Sequence, residues 1–294
     1  MEAVAYRVRY QSIKEARSAF LGLTIAQLCA IAKVSVSGYY RWAKTPITAH
    51  QQENEELQKL IKQIYDQYNG RYGYRRITMA LRREHDRRVN LKRVLRLMRY
   101  LDLQAIIQRP RRGCTIVRGT NFFPNRLERN FTAANPNEKW VTDVTYLTYG
   151  NGKKAFLSAI KDLYDSSIIA YNISQRNDNS LVLQNLEQAM VKNPNAHPLL
   201  HSDRGTQYTS KQYLRLTTEA GFILSMSRVS KCIDNAPMES FWSHYKDEAY
   251  YDRKFETYEA LVTSIKEYIA FYNLKRYQTK SGSLTPAEYR ALAA

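Results

Sequence analysis

Two short runs hold residues able to do chemistry together. HSDRGTQYTS (201–210) places Asp203 before a glycine turn. DNAPMESFWSHYK (234–246) places Glu239 in the first turns of a helix started by Asp234-Asn235 and Pro237. Glu239 lies 36 positions after Asp203, and a third acid, Asp143, lies 60 positions before it in the β-rich run WVTDVTYLTY (140–149). Carboxylates are hard oxygen donors of the kind Mg²⁺ takes together with substrate phosphate. Two such ions roughly 3.5–4 Å apart activate an attacking oxygen and stabilise a leaving one at phosphorus. The expectation is that Asp143, Asp203 and Glu239 are catalytic and hold two Mg²⁺ ions, with Mn²⁺ as a substitute. Taken singly, each acid has a plainer reading: a strand-end surface residue, an Asx-turn and a helix-capping acid. On a helix, Ser243 and Lys246 share the Glu239 face, while Phe241 and Tyr245 point to the core. Lys246 is thus expected to touch DNA phosphate. Of the neighbours, His201 has two readings, positioning water or DNA and local packing; Gln207 and Tyr208 shape the site. Asn235 reads as a helix cap rather than a ligand, and Trp242 as packing rather than a base-stacking platform.

Bringing three distant acids together requires a framework. KWVTDVTYLTY (139–149) reads as a strand, joined by GNGK (150–153) to a second strand at 155–164 in a glycine-supported hairpin. SIIAYNIS (167–174) supplies a third strand. An amphipathic helix over 181–191, a buried strand over 197–203, a helix over 210–220 and a strand over 223–227 follow. An unpaired charge at Asp143, on a strand covered on both faces, is costly unless it meets a partner or metal. Element order and acid positions together predict an α/β fold: a ribonuclease H-like catalytic core, a mixed five-stranded sheet with flanking helices, preceded by small all-α helix-turn-helix units.

Ahead of that core the chain is helical and basic. Residues 1–134 carry 26 Lys+Arg against 10 Asp+Glu, whereas residues 135–294 carry 19 against 17. So uneven a distribution of the +18 net charge points to a polyanion, nucleic acid first, bound by the first half. Within 13–44, TIAQLCAIA (24–32) capped by Thr24 and GYYRWAK (38–44) form a helix, tight turn, helix pattern. Tyr39 and Arg41 on its second helix are candidate DNA contacts, core packing being the alternative for Tyr39, Tyr40 and Trp42. A second helical unit holds 51–68, a helix near 75–85, and 91–101 capped by Asn90. Its interleaved Arg75, Arg76, Lys92, Arg93 and Arg96 suit phosphate contacts. Arg109, Arg111 and Arg112 lie in a Pro/Gly-broken stretch able to track a DNA backbone. The expected domains are 1–50, a helix-turn-helix unit; 51–102, a second helical DNA-binding unit; 103–134, a basic linker; and 135–294, the catalytic core with C-terminal helices. Three scattered cysteines exclude a zinc-finger pattern and fit a reducing cytosol. Neither a membrane span nor a signal-peptide apolar run is present.

NEKWVTDVTYL (137–147), HSDRGTQYTS, DNAPMESFWSHYK and FYNLKRYQTKSGSLTPAEY (271–289), with VSVSGYYRW (34–42) and YGYRRI (72–77), together resemble the DDE transposases of bacterial insertion sequences. The resemblance is to the second-reading-frame product of insertion-sequence family number three, and covers nearly the whole chain. It implies that Asp143, Asp203 and Glu239 are the metal-binding triad and that Lys246 contacts the transposon end. It also implies hydrolysis exposing a 3′-hydroxyl, followed by strand transfer of that hydroxyl, without a covalent enzyme intermediate. The implied partners are terminal inverted repeats, target DNA, a second copy in a homodimer or larger synaptic complex, and an upstream-frame helix-turn-helix/leucine-zipper product. The implied location is the bacterial cytoplasm, at the nucleoid. Two other functions fit parts of the pattern: a DNA-binding regulator or remnant using only 13–102, and a simple metal-dependent nuclease.

Overall fold

The computed structural model describes residues 2–19, 22–44, 49–105, 122–229 and 231–293. They form two compact units, Met1–Lys62 and Gln63–Ala294. Of the sequence expectations, Arg109, Arg111, Arg112 and Cys114 lie outside the described residues.

The first unit contains α1 (Glu2–Ala19), α2 (Ile25–Ile31) and α3 (Val36–Lys44). Thr24 caps α2 reciprocally with Gln27: the Gln27 N–H donates to Thr24 Oγ1, and the Thr24 N–H donates to Gln27 Oε1 at 2.8 Å. Ile13, Leu28, Cys29 and Tyr39 form its core, with Tyr10 stacked on Trp42 at 5.8 Å between ring centres. Helix α1 starts well before the helical unit expected from residue 13. Its arginine-rich sequence hides the apolar stripe, of which Ile13 is the buried member among the described side chains. Helix α4 (Ala49–Gln67) runs across the division between the units.

The second unit is built on five strands: β1 (Lys139–Tyr149), β2 (Lys153–Asp162), β3 (Ile168–Ser174), β4 (Leu199–Ser202) and β5 (Ile223–Met226). Their order is β3-β2-β1-β4-β5, with β1, β2 and β3 antiparallel and β1, β4 and β5 parallel. This is the mixed sheet of the ribonuclease H-like fold expected from the sequence. Gly150 and Gly152, at φ +49° and +80°, make the β1–β2 turn possible, since side chains rarely adopt such angles. Between β3 and β5 come α7 (Asn179–Lys192), capped by Asp178, and α8 (Lys211–Glu219), capped by Ser210. Both pack with Trp140, Leu200 and Leu224 on one face of the sheet. The other face meets α9 (Ala236–Tyr245) and α10 (Tyr258–Leu274) through Val141, Leu147, Leu157, Phe241, Tyr245 and Tyr268. Strand β1 is therefore covered on both faces, as expected. The short α11 (Pro286–Ala291) follows α10.

Helices α5 (Tyr74–Glu84) and α6 (Leu91–Tyr100) fall in the same compact unit as the sheet. Tyr72 donates to the Lys275 carbonyl at 2.6 Å, and Tyr277 donates to Glu84 Oε1 at 2.8 Å. Residues 122–134 do not behave as a linker. Leu127 is buried in the sheet core, and the N–H groups of Arg126 and Leu127 donate to Ser225 Oγ at 2.9 and 3.1 Å. Pro and Gly breaks mark irregular backbone, and irregular backbone can still be packed.

After α9 the helix widens into a π-helical turn, Lys246–Tyr250, whose Glu248 is buried against Arg276. His244 lies beside that pair. Burial, and then the Arg276 charge, push its imidazole from 6.5 down to about 3. The folded value lies below the unfolded one, so between them only the unfolded chain takes up the proton. Stability is full above pH 6.5 and is lost as pH falls towards 3. This one group supplies a slope of at most about 1.4 kcal/mol per pH unit. Urea midpoints measured at about pH 7.5 and about pH 5 are expected to differ less in His244→Gln than in the parent protein.

Candidate active site

The register of β1 on β4 brings the first two acids together. Lys139, Trp140 and Val141 pair with Leu199, Leu200 and His201, a constant offset of 60 positions. Two residues further along the chain from each member of the last pair stand Asp143, inside β1 where its pairing with β4 has ended, and Asp203, just past the carboxyl end of β4, the edge where open sheets place ligands. Burial, followed by the charge of Asp203, raises the Asp143 carboxyl above its ordinary value, and Glu239 adds to the effect. Burial raises Asp203 as well, against the opposing pull of its bond from Gly205. Tyr208, buried behind them, is raised by burial and then by both aspartates.

Each aspartate is held by its own element. Asp143 Oδ1 accepts the Val144 N–H at 2.8 Å, and Oδ2 accepts the Trp242 indole N–H at 2.9 Å. Asp203 Oδ1 accepts the Gly205 N–H at 2.8 Å. A Cβ at Gly205 would stand 3.0 Å from that oxygen, which accounts for glycine there.

Glu239 is exposed on the first turn of α9. Among the described residues, no three Asp, Glu, His or Cys side chains already form a metal cage. The donor chemistry nevertheless fits a hard divalent cation at the aspartate pair. Burial raises the proton affinity of both half-buried carboxylates, the Asp203 charge raises that of Asp143 further, and a cation would offset both effects. Glu239, at the start of α9, acts on Asp143 through its charge.

Phe241 and Tyr245 are fully buried, as the helical phase requires, and Lys246 follows α9 as the first residue of the π-helical turn. Its Nζ donates to Thr145 Oγ1 at 2.6 Å, two residues along β1 from Asp143. Asn235 does not cap α9 with its side chain. Instead its Nδ2 donates to the Thr142 carbonyl at 3.0 Å, tying the start of α9 to β1 next to Asp143. His201 is a packing residue: it is fully buried, its ring nitrogens meet Ser225 Oγ and Ser227 Oγ, and burial lowers it to about 4. Tyr208 is buried with its hydroxyl 3.3 Å from Thr142 Oγ1, and Gln207 donates to Asn177 Oδ1 at 2.7 Å. Asp234 is fully buried and anchors Arg228, Arg129 and Asn125; hydrogen bonding from Arg228 holds its carboxyl well below the ordinary range. Trp242 does more than the packing expected of it. Its place three residues after Glu239, on the side of α9 that meets β1, is the signal that could have found the bond to Asp143.

The helical candidates divide. Arg75, Lys92 and Arg96 are exposed, Arg93 is half-buried, and Arg41 is exposed on α3. Arg76 departs from its expected role: its Nε donates to the Tyr277 carbonyl at 3.3 Å and its Nη1 pairs with Glu248 Oε1 at 3.4 Å. Tyr39 is also corrected, being 6% exposed in the core of the first unit, where its ring fills the space against Tyr10 and Trp42.

With this geometry in place, comparison with known proteins is informative. An HTH-like domain matches residues 51–111, and integrase core domains match 133–232 and 239–292. A putative transposase, InsK, of insertion sequence IS150 from Escherichia coli K12 is 42% identical over 236 residues, covering 80% of this chain and 83% of that protein. The chain belongs to the IS3 family of insertion-sequence transposases. The transposase InsF of IS3A, also from Escherichia coli K12, is 29% identical over 96% of this chain and 98% of its own. Among solved structures, an HTLV-2 integrase catalytic core in complex with magnesium aligns at 16% identity and a TM-score of 0.40, over 53% of this chain and 98% of that one. The transposase thus joins an HTH-like region to an integrase core, a combination that implies DNA binding. No described helix is long and apolar enough to cross a membrane.

Proposed function

We propose that this transposase binds insertion-sequence ends, cuts them to expose 3′-hydroxyls and joins those hydroxyls to target DNA, with Asp143, Asp203 and Glu239 as its metal-holding catalytic acids. The observation that carries this reading is the β1–β4 register, which stands Asp143 beside Asp203 in a setting that favours a cation. Bound Mg²⁺, as two ions and with Mn²⁺ as a substitute, supplies activation of the attacking oxygen and charge stabilisation of the leaving one. In the first step a water oxygen bonds to phosphorus and the bond from phosphorus to O3′ breaks. The element end keeps the 3′-hydroxyl and the flanking strand keeps the 5′-phosphate. In the second step that hydroxyl oxygen attacks a target phosphodiester and releases a new 3′-hydroxyl. Asp143 is oriented by Trp242 and Val144, Asp203 by Gly205, and Lys246 places a cation for a backbone phosphate near the acids.

Exposed Arg41, Arg75, Lys92 and Arg96 are proposed to grip duplex phosphates, which makes end binding fall steeply with salt. Synapsis of two ends calls for a homodimer or larger assembly, with an upstream-frame helix-turn-helix/leucine-zipper product as a further partner, acting at the bacterial nucleoid in the cytoplasm. The test is a labelled element-end duplex with Mg²⁺. Nicked and joined products support the reading, nicking alone supports a nuclease, and binding alone supports a regulator.

Trp242→Phe tests one positioning contact, since it keeps an aromatic ring in the core and removes the N–H that bonds Asp143. Hydrogen bonds to charged groups are worth about 1.5–3 kcal/mol, so nicking is expected to fall about tenfold or more. End binding is expected to stay within about twofold. A nicking rate equal to the parent's removes Trp242 from the positioning role.

A further inference from the structure

The outer half of β1, the glycine turn after it and the segment after the π-helical turn enclose an open cleft of about 1050 Å³. Lys153, Lys246, Arg253 and Lys254 line it against one acid, Glu256, so the cleft favours an anion. Rings are interleaved with these cations. Tyr146 is 60% exposed, with Lys154 Nζ 5.4 Å and Lys246 Nζ 5.8 Å from its ring centre. Tyr250 and Phe255 lie nearly parallel, 11° apart, with centres 5.9 Å apart. Tyr250 is fixed in the wall: its hydroxyl accepts the Thr148 N–H at 2.7 Å and donates to the Thr148 carbonyl at 3.0 Å.

Duplex phosphates need cations alone. Unpaired nucleotides present a base face as well as a phosphate, and aromatic rings alternating with Lys and Arg answer both. A tyrosine this exposed contributes little to the core, whereas its ring offers a stacking platform. Lys154 and Lys246 have flexible stems that can release the ring and follow a phosphate. The cleft also adjoins the acids, because Lys246 lines it while bonding Thr145 two residues from Asp143.

We propose that this cleft is a subsite for unpaired DNA nucleotides next to the phosphodiester being cut, with Tyr146 as its stacking platform and Lys153, Arg253 and Lys254 as its phosphate contacts. The proposal rests on the strand-cutting function proposed above.

The experiment compares binding of a fluorescein-labelled oligo-dT of about 15 nucleotides with that of a blunt duplex of the same length, at one fixed salt concentration. Tyr146→Ala is expected to weaken oligo-dT binding about fivefold or more while the duplex changes less than about twofold, and Tyr146→Phe is expected to bind both as the parent does. A 2-aminopurine placed in the oligonucleotide is expected to be quenched on binding the parent protein, a readout that needs no variant. Equal losses on both probes, no loss, or absent quenching overturn the subsite. Asp203→Asn separates the two readings. A failed subsite with nicking lost in Asp203→Asn leaves the catalytic assignment standing, and a supported subsite with normal nicking in Asp203→Asn removes that assignment alone.

Discussion

Asp203→Ala is expected to lower Mg²⁺-dependent nicking of an element end about 1000-fold or more, equivalent to about 4 kcal/mol of transition-state stabilisation, while end binding changes less than about twofold. The size follows from the site. Asp143 and Asp203 each lie two residues beyond the last β1–β4 pair, so removing one takes away half of the aspartate pair proposed to hold the cation. The stability consequence is smaller than that of an ordinary buried deletion, because two effects oppose each other. The charge of Asp203 raises the Asp143 carboxyl, so its loss relieves a repulsion; against this, the Gly205 N–H loses its acceptor. Asp203→Asn keeps that acceptor and removes only the charge. Both variants are therefore expected to melt within a few degrees of the parent while losing nicking alike. Full activity in either would sink the assignment, and a loss of activity accompanied by a collapse in melting temperature would make it a folding effect.

Much of this site is legible from residue order because sheet register is a repeating rule. Alternation and turn chemistry mark β1, its glycine hairpin and the capped helices α7 and α8. Once β1 and β4 are parallel neighbours, the 60-position offset follows through to Asp143 and Asp203. What residue order hides are contacts fixed by packing between distant elements. The Trp242 indole reaches Asp143 only because α9 crosses β1, and Asn235 turns from a cap into a tie to Thr142 for the same reason. Arg76 illustrates the limit most clearly. In sequence it is one arginine among several on a basic helix, and only the packing of α5 against the C-terminal tail directs it inward to Glu248 and the Tyr277 carbonyl. The helical candidates that stay exposed, Arg75, Lys92 and Arg96, cannot be told from it by composition.

Glu248→Leu is expected to cost about 3–5 kcal/mol, which would remove a large part of the roughly 5–15 kcal/mol that holds a typical protein folded. Glu248 sits in the π-helical turn and gathers four side chains. Arg276 Nη2 and Nε bond its carboxylate at 2.6 and 3.0 Å, Tyr268 donates to it at 3.0 Å, Arg76 Nη1 lies at 3.4 Å, and Arg71 donates to its backbone carbonyl at 3.1 Å. Burial pushes the Glu248 carboxyl up and the Arg276 guanidinium overrides it, so the pair stays charged. Removing the carboxylate leaves Arg276, 1% exposed, as an uncompensated buried charge, with one Nη1 that already lacks a partner. The cost is thus one of stranded charge, and it predicts a double variant. Glu248→Leu with Arg276→Met, both apolar, is expected to recover most of the loss in urea unfolding, because two well-packed neutral side chains avoid the desolvation that the ion pair carries. Simple additivity of the two single losses would show instead that shape, rather than charge, holds this junction. The same turn begins with Lys246, so the single variant is also expected to weaken binding of DNA ends, and the double variant is expected to restore it as the turn re-forms.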